Sequence, residues 1–407
     1  MRTVFTVSLL KSKRMHFLFL SDYFSPIIKS GAIIVEDLAN EFVKQGHEIT
    51  VVTFADNIKK INKTEYSESI ELIRIPTRLR GKGKAGRLVD EILYSRKIKS
   101  LLKKGDYIKE IDAIVCYSPS IFYGKAIKAL KAQFDLKAYL IIRDIFPKWA
   151  VDSGILRKGI LYKFFKRIEK ELYDSCDYIG IESKQDLPYF EEIVNDKKIN
   201  VLSNWASETV EFSQNEPEIL SKNKNVKILY GGNIGDAQDL FSLINKIDTI
   251  KSLSGGDIYI LGEGNQKNKI EDLLVKNNIT NIHLLGEVSR DHYLEFLNHC
   301  DIGLVCLNKD LKSNNFPLKM MGYIQLGKPL LASVNKDNEI IDLINKQEIG
   351  RVSLSEDMAS FNEGLEEMIK NEEMRKRCGL NARKLFKERF TVSIAANQIT
   401  SHFFLSG

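Results

Sequence analysis

Apolar residues fall in short blocks with helical patterns between them. His16 to Leu20 (HFLFL) reads as a short buried strand. Residues 32–45 carry Ile33, Ile34, Leu38, Ala39 and Phe42 on one face, the spacing of an amphipathic helix, and Gly46 is placed to end it. GHEITVVTF, Ile70 to Ile75, IDAIVCY (111–117) and KAYLII (137–142) supply further strands. Near Val201 the rhythm breaks into the polar stretch SETVEFSQNEPEILSKNKN, which reads as a linker. It then restarts with NVKILYGG, a helix at 238–250, DIYILGEG, a helix at 266–276, NIHLLGEV, a helix at 290–299, DIGLVCL and a helix at 317–326. Ser355 to Phe390 is helical and rich in paired charges, and the apolar run TVSIAANQITSHFF after it is suited to docking. Alternating strands and helices predict parallel sheets covered by helices. The fold class is therefore α/β, with two Rossmann-like halves in series. The predicted divisions are 1–205 (with 1–14 a leader), 206–389, and a tail over 390–407.

With 407 residues the chain is long enough for two cores. No apolar run approaches the roughly 18 residues that cross a bilayer. MRTVFTVSLLKSKR lacks the long apolar stretch and cleavage site of a signal peptide, and Met15 is an equally good start. The five cysteines include no CxxC pair, so buried free thiols in a reducing compartment are expected. The net charge of +6 is uneven: residues 1–200 hold 36 Lys/Arg against 26 Asp/Glu, whereas the rest is mildly acidic. A basic first half predicts an anionic partner there.

Several chemistries are excluded by motif. There is no D-x-D clamp for Mg²⁺ or Mn²⁺, no Walker loop, no HExxH and no GxSxG, and the six histidines form no close pair. Gly81-Lys-Gly83-Lys-Ala-Gly86 matches G-x-G-x-x-G, but Pro76 to Arg80 separate it from the preceding strand, so it reads as a flexible basic loop. Tyr230-Gly-Gly232-Asn233-Ile-Gly235 follows a strand and precedes a helix. There, backbone amides and a helix start suit a diphosphate, with a plain tight turn as the alternative. Gly262-Glu-Gly264 and Gly286-Glu-Val288 end the next two strands, at the edge where open α/β sheets bind ligands. Pro317 suits a first helical turn, and Lys319 beside it is either a phosphate ligand or a solvated lysine. In the first half, Gly31 precedes a helix, and Arg143-Asp144 follows a strand as a surface ion pair or a ligand-facing group.

The order of a glycine-Glu strand end, then Pro317-x-Lys319, Tyr323, and Gly327-Lys-Pro-Leu-Leu-Ala-Ser333, resembles glycosyltransferase family 4, of GT-B fold. RDIFPKWAVDSGIL, IGIESKQD, VLSNWA and LYGGNIGDAQDL are similar to bacterial O-antigen and capsule transferases of the L-fucosamine transferase type, and the likeness runs from Phe17 to Thr391. The resemblance implies two Rossmann-like domains facing across a cleft, the donor held mainly by the second, and a C-terminal helix crossing back to the first. It also implies retention of anomeric configuration without a metal or other cofactor. The implied donor ligands are Gly31, Gly232, Asn233, Gly235, Gln238, Gly262, Gly264, Val288, Asn314, Phe316 and Pro317. The family usually carries two glutamates eight residues apart, and the second binds the donor ribose. These positions are Asn314 and Gly322 in this chain. The basic residue usual after the glycine turn is also replaced, with Asn233 and Gln238 standing near it.

Without a metal, the leaving diphosphate needs fixed dipoles and cations. The expected ones are the amides of Gly232 to Gly235, the helix start at Pro317, and Lys319. The resemblance to retaining members of the fold implies that the leaving phosphate takes the acceptor proton, so no general base is assigned, and Asp144 is the candidate for contact with the reacting sugar or acceptor. Residues 78–104 hold ten Lys/Arg and two acids, and Leu88, Ile92, Ile98 and Leu101 form a stripe. Arg96, Lys97, Lys99, Lys103 and Lys104 are therefore expected to face an anionic membrane, where a lipid-linked saccharide acceptor resides. Nucleic acid is disfavoured because no aromatic platform accompanies the charge. The reading is a cytoplasmic enzyme, peripheral on the inner face of the plasma membrane. It transfers a UDP-linked amino or deoxyamino sugar from its nucleotide donor to that acceptor. An NDP-sugar epimerase and a non-catalytic partner subunit are the alternatives.

Overall fold

The structure is a computed structural model. It describes residues 14–404 apart from 28, 57, 80–82, 104–106, 109, 195–197, 210–214, 223, 249–250 and 312–316. The expected leader at 1–14 thus lies, Arg14 and its neighbours onward aside, outside the described residues. Two compact units divide the chain: Met1–Ser203 with Val392–Gly407, and Asn204–Thr391.

The first unit runs β1 (His16–Ser21), α1 (Ser30–Lys44), β2 (Glu48–Ala55), β3 (Asn62–Ser67), β4 (Ile70–Pro76), α2 (Gly83–Ile92), α3 (Tyr94–Lys103), β5 (Ala113–Ser118), α4 (Gly124–Phe134), β6 (Lys137–Ile142), α5 (Lys148–Asp152), α6 (Ile160–Ser175), β7 (Tyr178–Ile181), α7 (Leu187–Glu191) and β8 (Lys198–Val201). Its sheet order is β3-β4-β2-β1-β5-β6-β7-β8. The pairs are parallel except β3 with β4. β1 and β5 are almost wholly buried, because a parallel sheet is covered on both faces. Helix α1 closes one face: Phe42 meets Phe17 edge-on at 4.9 Å and Phe19 at 5.3 Å. Gly46, at φ 90°, turns the chain out of that helix into β2, a conformation that glycine adopts without steric cost.

The second unit runs α8 (Glu218–Ser221), β9 (Val226–Gly231), α9 (Leu240–Ile244), β10 (Gly256–Leu261), α10 (Lys267–Lys276), β11 (Ile282–Gly286), α11 (Arg290–His299), β12 (Ile302–Cys306), α12 (Leu318–Gln325), β13 (Leu330–Val334), α13 (Glu339–Gln347), β14 (Gly350–Leu354), α14 (Met358–Lys370) and α15 (Glu372–Arg389). The sheet order is β11-β10-β9-β12-β13-β14, parallel throughout its described pairs. Strand order reverses at β9, between β10 and β12. In an open α/β sheet, that reversal opens a crevice beyond the carboxyl ends of the strands.

The closing helix, α16 (Val392–Phe404), belongs to the first unit. There Gln45 Nε2 donates to Asn397 Oδ1 at 3.1 Å, Gln398 Nε2 donates to Val201 O at 2.8 Å, and Phe403 packs on Phe17. All five cysteines are buried, and none forms a disulfide. Among the described residues no helix is long and apolar enough to cross a membrane.

Candidate functional site

The crevice beside β9 in the second unit gathers most of the expected donor ligands. Gly232 leaves the strand at φ 137°, and a Cβ there would sit 3.3 Å from the Lys319 Cε and Nζ atoms. Lys319 comes from the first turn of α12, whose N-cap is Pro317. Its Nζ lies 3.7 Å from the centroid of the Tyr230 ring. The side chain as a whole is half-buried, but Nζ is withdrawn from solvent and has no hydrogen-bond partner among the described residues. Desolvation lowers its ammonium pKa to about 7, with only the nearby Cys306 acting the other way. A solvated surface lysine is therefore not what the structure contains. A buried amine over an aromatic face, beside a glycine turn, has the chemistry to pair with an anion once protonated.

Tyr230 holds both parts of this arrangement. Its hydroxyl donates to Asn233 O at 2.6 Å, which fastens the glycine turn, while its ring carries Lys319. Cys306, at the end of β12, donates to Gln238 O at 2.9 Å and closes the far side. Tyr323 accepts the Gly231 N–H at 3.2 Å and donates to Leu229 O at 2.8 Å, which pins the end of β9. None of these three was singled out from sequence as a site residue. The available signal was a tyrosine as the last bulky strand residue before a double glycine.

The amides of the turn divide into two groups. Gly232 N–H donates to Leu261 O and Ile234 N–H to Glu263 O, both at 2.8 Å. The expectation that all the amides from Gly232 to Gly235 serve a ligand is corrected accordingly: two of them already serve the neighbouring loop. Gly262 and Gly264 are explained by the same packing. A Cβ on Gly262 would stand 1.9 Å from Gly232 O, and one on Gly264 2.2 Å from Ile234 O. Gly235 makes room for the Asn233 side chain, whose Nδ2 donates to Gln238 Oε1 at 3.0 Å. Val288 is half-buried against the core of this unit. Asn314 and Phe316 lie outside the described residues.

Gly322 lies one helical turn beyond Lys319. A Cβ there would be 3.1 Å from Leu297 Cδ2 and 3.7 Å from the Tyr293 hydroxyl. The Tyr293 ring also lies over Gly231, where a Cβ would meet it at 2.3 Å. An aromatic side chain thus borders the position where the sequence resemblance would place a glutamate.

In the first unit, Gly31 sits in the first turn of α1 with Tyr117 3.3 Å from a would-be Cβ. Asp144 follows β6 and is exposed; desolvation raises its carboxyl pKa and Arg87 opposes the rise. Arg143 donates from Nη1 to Leu202 O at 2.7 Å and from Nη2 to Ser203 O at 3.3 Å, so it ties chain segments together within its unit. The basic segment departs from expectation. Gly83 opens helix α2, so the G-x-G-x-x-G stretch is helical from that residue onward and not a loop. Arg96 and Lys99 are exposed, but Lys97 is not membrane-facing: its Nζ donates to Asp90 Oδ1 at 2.8 Å and Pro76 O at 3.1 Å. Ile98 and Leu101 are fully buried in the core, so the predicted apolar stripe is largely committed inward. The Lys103 side chain and Lys104 lie outside the described residues.

Residues 211–385 match the family model of glycosyl transferases group 1. The chain is a glycosyltransferase that carries a group 1 domain. It is 25% identical over 280 residues to the probable glycosyltransferase WbjE of Pseudomonas aeruginosa, spanning 67% of this chain and 68% of WbjE. Among solved structures, WaaG, a glycosyltransferase involved in lipopolysaccharide biosynthesis, superposes with a TM-score of 0.65 at 15% identity, covering 94% of this glycosyltransferase and 99% of WaaG. Alr3699/HepE of Anabaena, in complex with UDP and glucose, superposes with a TM-score of 0.64 at 13% identity, covering 96% and 99%. The glycosyltransferase has the GT-B fold of such neighbours, two Rossmann-like domains on parallel sheets.

Proposed function

We propose that the enzyme is a retaining, metal-independent transferase of family 4, of the L-fucosamine transferase type. It moves a UDP-linked amino or deoxyamino sugar onto a lipid-linked saccharide in bacterial surface polysaccharide synthesis, at the cytoplasmic face of the plasma membrane. The observation that carries the reading is the buried, unpartnered Lys319 Nζ above Tyr230 at the strand-order reversal. The part of WaaG in lipopolysaccharide biosynthesis and the complex of HepE with UDP and glucose support the polysaccharide setting and the UDP donor.

With a diphosphate beside it, Lys319 takes up a proton and stabilises the charge that develops on the leaving group. The bond between the anomeric carbon and the diphosphate oxygen breaks, and its electron pair stays on that oxygen. The acceptor hydroxyl oxygen bonds to the anomeric carbon on the same face, and its proton passes to the leaving phosphate. Asp144 contacts the reacting sugar or acceptor.

The test is sugar transfer from a panel of sugar nucleotides to a lipid-linked acceptor, in excess chelator. Lys319→Ala should lower turnover by about 10²–10³ with the fold intact, as loss of one transition-state charge contact does. Undiminished turnover in Lys319→Ala overturns the role of the lysine, and an absolute need for Mn²⁺ or Mg²⁺ overturns the metal-free mechanism. Release of an epimerised sugar without acceptor would favour the epimerase.

A further inference from the structure

Ten large hydrophobic side chains are exposed among the described residues, and five of them fall within residues 149–164. Ile160 is 91% exposed, Ile155 65%, Leu161 51%, Phe164 45% and Trp149 40%. A chain that stays alone in water rarely keeps so much apolar surface together. The core does not need these side chains, since Phe165, Leu172 and Tyr173 already bury the other face of α6.

Cations are interleaved with them. Arg157, Lys158, Lys163 and Arg167 are exposed, and none has an ion pair among the described residues. In the same segment Lys148 pairs with Asp152, Lys166 with Glu169 and Lys170 with Asp174. Ile160, Lys163, Phe164 and Arg167 fall at i, i+3, i+4 and i+7, so apolar and cationic side chains share one helix face.

We propose that α5, the turn after it and the first half of α6 dock on an anionic lipid bilayer. The apolar residues enter the headgroup boundary, and the long cationic side chains reach the lipid phosphates. The charge pattern selects this occupant over a second copy of the chain. A two-fold pairing on this face would set the same four cations against each other. The proposal rests on the lipid-linked acceptor of the preceding section, and it moves the membrane contact away from α3, whose apolar side is core.

The protein has two tryptophans, and Trp205 is buried while Trp149 lies in the surface itself. Phosphatidylcholine vesicles carrying one-third phosphatidylglycerol should therefore blue-shift the emission and pellet the full chain, and pure phosphatidylcholine should do neither. The Ile160→Ser/Phe164→Ser variant should lose the binding that persists in high salt. Replacing Arg157, Lys158, Lys163 and Arg167 by Gln should weaken low-salt binding by about fivefold per cation. UDP binding, measured by calorimetry, should be unchanged in both variants, which shows that they fold. The proposal is overturned by equal affinity for neutral and anionic vesicles, by binding to neither, or by wild-type vesicle affinity in either variant. A stable dimer that Ile160→Ser/Phe164→Ser dissolves would also overturn it. Vesicle binding by a chain that transfers no sugar would leave this surface standing and sink the preceding section instead.

Discussion

Lys97 in α3 and Lys319 in α12 are both drawn out of water, and their settings are opposite. Lys97 meets Asp90, a carboxylate only 1% exposed, and the Pro76 carbonyl. Asp90 also accepts the amides of Leu79 at 2.6 Å and Arg78 at 3.0 Å. Burial works against the charged form of Asp90, but Lys97 and these amides outweigh it and leave its carboxyl below the ordinary value. Lys319 has an aromatic face and a thiol beside it and, among the described residues, no acceptor. Removing one member of a buried pair leaves the other uncompensated, whereas a buried amine without a partner is itself kept at a cost in stability.

The largest test breaks the first lysine's setting. Asp90→Ala removes the partner of Lys97 and strands two amides. It should destabilise the protein by about 3–5 kcal/mol, as loss of one member of a buried pair does. Lys319→Met removes a buried amine that has no partner, so the ligand-free protein should melt no lower than the parent, while UDP-sugar binding is lost. Denaturant titration of both variants checks the contrast, and an equal loss of stability in both would erase it.

The next test uses protons. In the ligand-free protein Lys319 is neutral above about pH 7, against 10.5 for an ordinary lysine. A diphosphate binds the ammonium form and raises that value. The dissociation constant for a UDP-sugar should therefore rise toward tenfold per pH unit above pH 7, about a hundredfold by pH 9. Stability of the ligand-free protein should move oppositely. Between pH 7 and 10.5 the unfolded chain holds a proton that the folded chain lacks, so stability gains as pH rises. Calorimetry in buffers of different ionisation enthalpy should show proton uptake on binding at pH 8. A dissociation constant that stays flat from pH 7 to 9 would show that Lys319 keeps its proton throughout.

Much of this contrast was legible in the sequence, and the illegible part has physical causes. The buried strands and the position of Lys319 after a Pro at a helix start follow from apolar blocks and local punctuation. β3 was missed because NKTEYS is an exposed edge strand without an apolar run. The stripe of α3 was read correctly as a stripe, but periodicity does not say what covers it, and here the core does. The exposed apolar face of α6 carries the same pattern and is left uncovered. Tyr230 escaped notice because its role depends on Lys319 reaching it from 89 positions away in sequence, which only the fold can bring about.

The smallest expected effect concerns the space one turn beyond Lys319. If that space were open and reserved for donor ribose, Gly322→Glu would tighten UDP binding by supplying the carboxylate that the sequence resemblance leads one to expect there. The structure borders it with the Leu297 methyl at 3.1 Å and the Tyr293 hydroxyl at 3.7 Å from the new Cβ. Leu297 comes from α11 and is 1% exposed, so it can yield only by disturbing the core around it. Gly322→Glu should therefore cost about 1–3 kcal/mol of stability, the usual range for overpacking, and should leave UDP affinity unchanged or weaker. Gly322→Ala adds the same Cβ without the charge, and it should recover most of the stability if the carboxylate is the main offence. Leu297→Ala placed beside Gly322→Glu should relieve the crowding, giving a coupling that a double-mutant cycle can measure. Tighter UDP binding in Gly322→Glu alone would mean that Tyr293 and Leu297 move aside, and that a carboxylate at this turn of α12 can reach the nucleotide.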